Sequence, residues 1–348
     1  MSIKINWLFS FDTFETGYSN PFLESYEPTS KTLTDLLARF KPLNAASLPR
    51  SFYFQINPIT VNGKVRKGLS FQNWMYKGGP QYKVIVNSVV GKTTYLGFSA
   101  SANWGTGPFL YIYGTGLTTK SFTIESIGVQ NSTARVYVEL VMQTTETEKT
   151  AIAYVNGNEL GRATLPIAND LYFGYGDDNY NGSFTTELGW VLTDMYEGET
   201  DVTAPLEPFG DLIVEAESVN VVTNEEALGT FGVTTGSIID VLRIPMAPKI
   251  VDKTTGVLLA APDVENTFKF PETTKTPVAA SIRLNLVSSA KEEQGIALTT
   301  MVNGAEVSTE TVRPGLLSAG GYLIKNIMYA GDLTPSAVST FYFKTRAM

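Results

Sequence analysis

The densest run of oxygen ligands in the sequence is Asp177-Asp-Asn-Tyr-Asn-Gly182. Asp177, Asn179 and Asn181, followed by Gly182, have the alternate spacing with which a calcium loop opens, and the glycine permits its tight turn. The pattern then breaks. The place of the bidentate glutamate is taken by Leu188, with Glu187 one residue early. Asn, Asp and Gly in left-handed turns between strands account for the same residues. Ca2+ at Asp177, Asn179 and Asn181 is the one cofactor the sequence offers, and no other is expected.

A second chemistry is sugar recognition, which wants flat aromatic faces beside planar hydrogen-bonding groups. Trp104, Tyr111, Tyr113, Tyr172, Tyr175 and Tyr180 are available for it. Trp104, Tyr175 and Tyr180 are the glycan-binding candidates, and the glycines of Ala102-Asn-Trp-Gly-Thr-Gly107 suit Trp104 to an exposed turn. Aromatics on alternating strands are equally good packing residues. For catalysis the inventory is thin. The chain has no cysteine and no histidine, which removes thiolate and imidazole metal sites, Cys nucleophiles and Ser-His-Asp triads. Glu215 and Glu217 share a strand face at i, i+2, but nothing around them signals the burial that raises one carboxyl of a hydrolase pair. No catalytic residue is assigned, and the expectation is a protein that is not an enzyme.

The elements that must carry these residues are strands. The chain has 348 residues, 43% of them hydrophobic, enough apolar mass for a packed core. Acidic residues outnumber basic ones 34 to 26, for a net charge of −8. That balance disfavours nucleic acid and anionic membrane surfaces as partners. No apolar run approaches the length of a membrane span, and the opening residues do not read as a signal peptide. Runs rich in Val, Ile, Tyr, Phe and Thr recur at 51–56, 82–90, 109–113 and 134–142, the last alternating Val136, Val138 and Leu140 against a wetter face of Tyr137, Glu139 and Val141. Asn156-Gly157 joins 150–155 to 159–165 as a hairpin, because an Asn-Gly turn supplies two residues tolerant of positive φ.

Further strands are expected at 171–173 and 188–192, then at 211–217, 238–244, 278–286, 296–301 and 340–344, with a second Asn-Gly hairpin at Asn303-Gly304. One short amphipathic helix is expected near 31–40, where Leu33, Leu36, Leu37 and Phe40 keep helical spacing before Pro42. The polar, proline-bearing stretch Glu197–Pro208 divides the chain. The expected class is all-β: an antiparallel sandwich over 1–200 and a second β-sandwich, for interaction or assembly, over 201–348.

Tyr154-Val-Asn-Gly-Asn-Glu-Leu-Gly-Arg-Ala-Thr-Leu165, followed by Leu171-Tyr-Phe-Gly174, resembles the hairpin-plus-strand signature of concanavalin A-like, laminin-G-like jelly rolls. The resemblance extends to tailed-bacteriophage virion proteins built on that jelly roll. It is carried by Phe9-Ser-Phe-Asp-Thr-Phe14, Tyr95-Leu-Gly-Phe-Ser-Ala100, Trp190-Val-Leu-Thr-Asp-Met-Tyr196 and the Gly-Asp junction Phe209-Gly-Asp-Leu-Ile-Val214. Thr267-Phe-Lys-Phe270 and the closing aromatic strand continue it. The resemblance implies a structural component of the tail, fibre or baseplate, found in the virion and partnered by other virion proteins and its own copies as a homo-oligomer. A lectin-like adhesion protein contacting host-surface carbohydrate is the alternative, a capsid decoration protein the minor one.

Overall fold

The computed structural model describes residues 3–12, 17–19, 40–42, 52–61, 63–73, 82–102, 109–114, 122–124, 135–168, 171–176, 190–201, 206–231, 236–243, 256–259, 263–271, 278–287, 296–302, 304–312, 322–330 and 342–347. The chain divides into two compact units, Met1–Glu215 with Ala247–Ile250, and Ala216–Met246 with Val251–Met348. The division thus follows Glu215, whereas composition drew it at 200.

The first unit is built from β1 (Lys4–Phe9), β2 (Gly17–Ser19), β3 (Phe40–Pro42), β4 (Phe52–Val61), β5 (Lys64–Asn73), β6 (Tyr82–Ile85) and β7 (Lys92–Ala102). It continues through β8 (Phe109–Gly114), β9 (Phe122–Ile124), β10 (Val136–Thr144), β11 (Glu148–Val155), β12 (Asn158–Pro166), β13 (Leu171–Gly176) and β14 (Trp190–Asp201). Nine of them form one antiparallel sheet, ordered β12-β11-β10-β7-β14-β5-β4-β2 with β1 also on β14. The other five form a second, ordered β3-β6-β13-β8-β9. The chain passes back and forth between the two sheets, as a jelly-roll sandwich requires. A row of apolar residues crosses the large sheet in register: Ile56, Leu69, Leu192, Ala100 and Val136, all essentially buried.

The Asn156-Gly157 hairpin forms as expected, with φ 49° and 79° at its two central residues. The face of β10 read as the wetter one is buried too. Tyr137, Glu139 and Val141 are as inaccessible as Val138 and Leu140, and on this face the Phe209 and Gly210 amides donate to Glu139. The strand expected over 82–90 stops at Ile85, and Val89 and Val90 stand exposed before a glycine turn at Gly91. Residues 31–39 of the expected helix lie outside the described residues. Phe40 stands in β3, opposite Val84, since Lys41 precedes a proline and is thereby pushed to extended backbone.

The second unit contains β15 (Val221–Val222), β16 (Leu228–Phe231), α1 (Ile238–Leu242), β17 (Gly256–Leu259), β18 (Glu265–Lys269), β19 (Ala279–Val287), β20 (Ile296–Val302), β21 (Ala305–Val312), β22 (Tyr322–Ala330) and β23 (Tyr342–Ala347). Five strands make an antiparallel sheet, β15-β18-β23-β20-β21, and β16-β17 and β19-β22 pair separately. Phe268 and Phe343 stack at 4.7 Å and 8° in a core shared with Val222, Ile238, Leu298 and Val302. Two expected strands are not strands. Ile238–Leu242 is helical because Ser237 and Asp240 close a reciprocal capping box, and Ile238 and Val241, three apart, are its buried residues. Asp211–Glu217 runs outside any sheet, with the Leu212 carbonyl and the Val214 amide and carbonyl bonded to side chains.

Candidate functional site

Two buried polar clusters fix the segment 206–214 on the large sheet. The first is centred on Asp194, whose side chain has no exposed surface. It lies in a bulge of β14: Thr193 opposes Ser99 and Tyr196 opposes Gly97, so Asp194 and Met195 share one position of β7. The bulge residue is left-handed, φ 51°, which aspartate tolerates better than most residues. The bulge aims the carboxylate between two guanidinium groups. Arg66 Nη1 donates to Oδ1 at 2.8 Å and Arg135 Nε to Oδ2 at 3.3 Å. The Val214 amide donates to Oδ1 at 2.9 Å, and Thr193 Oγ1 to Oδ2 at 3.1 Å.

The arginines have further partners. Arg66 donates to Asp12 Oδ2 from Nε at 3.0 Å and from Nη2 at 2.8 Å, and to the Val214 carbonyl at 2.8 Å. Arg135 donates to Asp211 and to the Leu212 carbonyl, the latter at 2.8 Å. Asp12 also accepts from the Lys67 amide at 2.7 Å and from Ser10 Oγ at 3.0 Å. Each charge here has an opposite charge within hydrogen-bonding reach, the condition under which ion pairs persist in an interior.

The second cluster surrounds Glu139, which is fully buried. Its Oε1 accepts the Phe209 amide at 2.6 Å and its Oε2 the Gly210 amide at 3.1 Å, and Tyr137 donates its hydroxyl to Oε2. The Tyr137 and Tyr196 hydroxyls meet at 2.7 Å. Burial raises the Glu139 carboxyl above the ordinary carboxylate range, opposed by the hydrogen bonds it accepts. Burial raises Tyr137 and Tyr196 further from ionisation, and pushes Tyr95 up to about 12. Two glycines make the geometry possible. At Gly97 a Cβ would lie 2.0 Å from the Tyr196 ring, and Gly210 has φ 121°, which L side chains rarely adopt. Tyr154 donates to the Leu206 carbonyl at 2.5 Å, and Phe209 sits edge-on to Tyr196 at 6.3 Å.

Trp104, Asp177, Asn179, Tyr180 and Asn181 lie outside the described residues. Tyr175 is in β13, between Tyr82 and Leu110 in register. Glu215 and Glu217 are exposed and not on a strand. Among the described residues, no three His, Cys, Asp or Glu side chains are grouped to hold a metal ion, and no helix is long and apolar enough to cross a membrane. Sequence reasoning reads Arg66, in Lys64-Val-Arg-Lys67, as a solvated loop charge without function, whereas it stands in β5, 12% exposed and paired with Asp12 and Asp194; Asp12, Arg135, Glu139 and Asp194 were not weighed as site residues. The signal lay in the Asp194-Met-Tyr196 and Phe209-Gly-Asp211 motifs, which the fold brings onto adjoining clusters.

No family model and no curated protein sequence matches the chain. Among solved structures, an endo-1,3-β-glucanase from Streptomyces sioyaensis overlaps 53% of this chain and 97% of its own, at 8% identity and TM-score 0.29. Peanut lectin overlaps 47% of this chain and 98% of its own, at 10% identity and TM-score 0.23. Domain 4 of AbnA, an extracellular arabinanase from Geobacillus stearothermophilus, overlaps 58% and 96%, at 11% identity and TM-score 0.26. These partial overlaps identify no family and no activity for this chain.

Proposed function

We propose that this chain is a non-catalytic structural protein of a tailed-phage virion, at the tail, fibre or baseplate, acting through contacts with its own copies and other virion proteins. The motif resemblance along the chain motivates the virion assignment. The observation that supports the non-catalytic role is the use made of the buried charges. A buried carboxyl of raised pKa on a jelly-roll sheet is a candidate general acid, yet both Glu139 oxygens are occupied by Phe209, Gly210 and Tyr137 beneath the segment that covers them. Asp194 is likewise bonded on both oxygens by four donors. These groups hold the exit segment of the first unit in place, and a substrate would have to displace that segment to reach them.

The test is mass spectrometry and cryo-electron microscopy of particles released by the cell that encodes the chain. The expected result is the protein at stoichiometric copy number, with large interfaces to neighbouring chains. Particles that lack it, or a soluble monomer that hydrolyses polysaccharide with a rate abolished by Glu139→Gln, would overturn the reading.

A further inference from the structure

Residues 206–214 lie on the nine-stranded sheet as a bound peptide would. They belong to no strand, and Val214 alone among them is buried. Ile213 is 53% exposed, so apolar burial contributes little to holding the segment. Its seat is made almost wholly to the main chain. Tyr154 donates to the Leu206 carbonyl, Arg135 to that of Leu212 and Arg66 to that of Val214. Glu139 accepts the Phe209 and Gly210 amides, and Asp194 accepts that of Val214. The five side chains stand on β5, β10, β11 and β14, with Arg135 just ahead of β10. Two features make the seat selective. Gly210 has φ 121°, a backbone that only glycine adopts readily, and Asp211 pairs with Arg135.

The chain reaches this seat by reversing over its own strand. Asp201, the last residue of β14, stands opposite Lys92. Gly210 then meets Glu139, which opposes Gly97, and Val214 has returned to Asp194. Four residues, 202–205, connect Asp201 to Leu206. Ala204 precedes Pro205 and Glu207 precedes Pro208, and a residue before proline is pushed towards extended backbone. Such a sequence opposes a reversal over so few residues, and short hinges under strain favour exchange of the segment they carry. Exchange keeps every contact of the seat, so seating in the same copy or in another differs only in the hinge and in effective concentration. A short connection supplies an effective concentration of about 1 mM, which copies must match by standing side by side.

We propose that residues 206–214 of one copy seat on the nine-stranded sheet of a second copy, so that the protein assembles by exchanging this strap. The inference rests on the chain working through contacts with its own copies, and it names the contact. Each copy offers one seat and one strap, and reciprocal exchange closes a two-fold pair.

The test joins two full-length variants, each defective in one half of the contact. Glu139→Gln alters the seat and leaves the strap intact, whereas Gly210→Val alters the strap and leaves the seat intact. Each is refolded alone at about 1 mM. Each should then be cleaved within 206–214 about tenfold faster than wild type, the loss expected when a hydrogen bond to a buried charge is broken. Refolded together, they should form a mixed pair in native mass spectrometry. In that pair the strap of the Glu139→Gln copy, and only that strap, should regain wild-type resistance, its fragments being distinguished by the mass of glycine against valine. If Glu139→Gln fails to fold, Arg135→Gln serves as the seat variant. A mixture with no mixed pair, cleaved like its components, would overturn the proposal. Mixed pairs in which both straps stay open to cleavage would overturn it as well, since the copies then associate through another face. Either result leaves the virion reading to its own test, and exchange in a protein missing from particles would sink that reading alone.

Discussion

Replacing Asp194 by asparagine is the sharpest probe of the buried ion network. Asparagine tolerates the left-handed backbone at this position, φ 51°, so the substitution removes charge without adding the strain that alanine would bring. One carboxylate oxygen accepts from Arg66 and Val214, the other from Arg135 and Thr193. The amide keeps one such pair and turns its own donors toward the other. Arg66 and Arg135, 12% and 8% exposed in their side chains, then share less negative charge than they were buried against. Breaking a buried pair from one side costs about 3–5 kcal/mol. With a urea m-value of about 2–3 kcal/mol/M, the midpoint for the first unit should fall by about 1–2.5 M. Limited proteolysis should also open the chain within 206–214, because Asp194 holds the Val214 amide. A shift of less than about 1 kcal/mol, the range of an exposed ion pair, with cleavage unchanged, would refute the claim that this network fixes the segment.

Three further outcomes are expected. Gly97→Ala places a methyl within 2.0 Å of the Tyr196 ring, so it should destabilise the first unit by about 3 kcal/mol, and Tyr196→Ala in the same chain should recover part of the loss in a thermal melt. Glu139 binds its proton more tightly folded than unfolded, because burial raises it; the resulting stability is complete below the ordinary carboxylate range and lost as pH rises through the raised value. Urea midpoints from about pH 4 to about pH 8 should therefore show the wild type's advantage over Glu139→Gln shrinking with pH, and an advantage that grows would contradict this. Ser237→Ala removes the cap of α1 and should lower the second unit's stability by about 1 kcal/mol, read from its own unfolding transition.

Much of the architecture was legible in the chain itself. The alternating run at 134–142, the Asn156-Gly157 turn and the runs at 109–113 and 296–301 became β10 (Val136–Thr144), a hairpin, β8 (Phe109–Gly114) and β20 (Ile296–Val302), within two residues of where their patterns begin and end, since period-two patterning and turn chemistry are local properties. Ser237 and Asp240 were equally local, and a capping box outranks the β-branched run that follows it.

The candidate sites divide differently. The Asp194 network joins residues 54, 128 and 59 positions apart, through a bulge that no short window of sequence announces. Glu139 reads as the wet side of a strand until residues 206–214 are seen to cover it. Composition and periodicity thus determined that this chain is antiparallel β, because each residue's strand preference is decided by its neighbours. Which charges are buried, and against what, was decided only by tertiary structure, because desolvation depends on groups that the chain brings together from far apart.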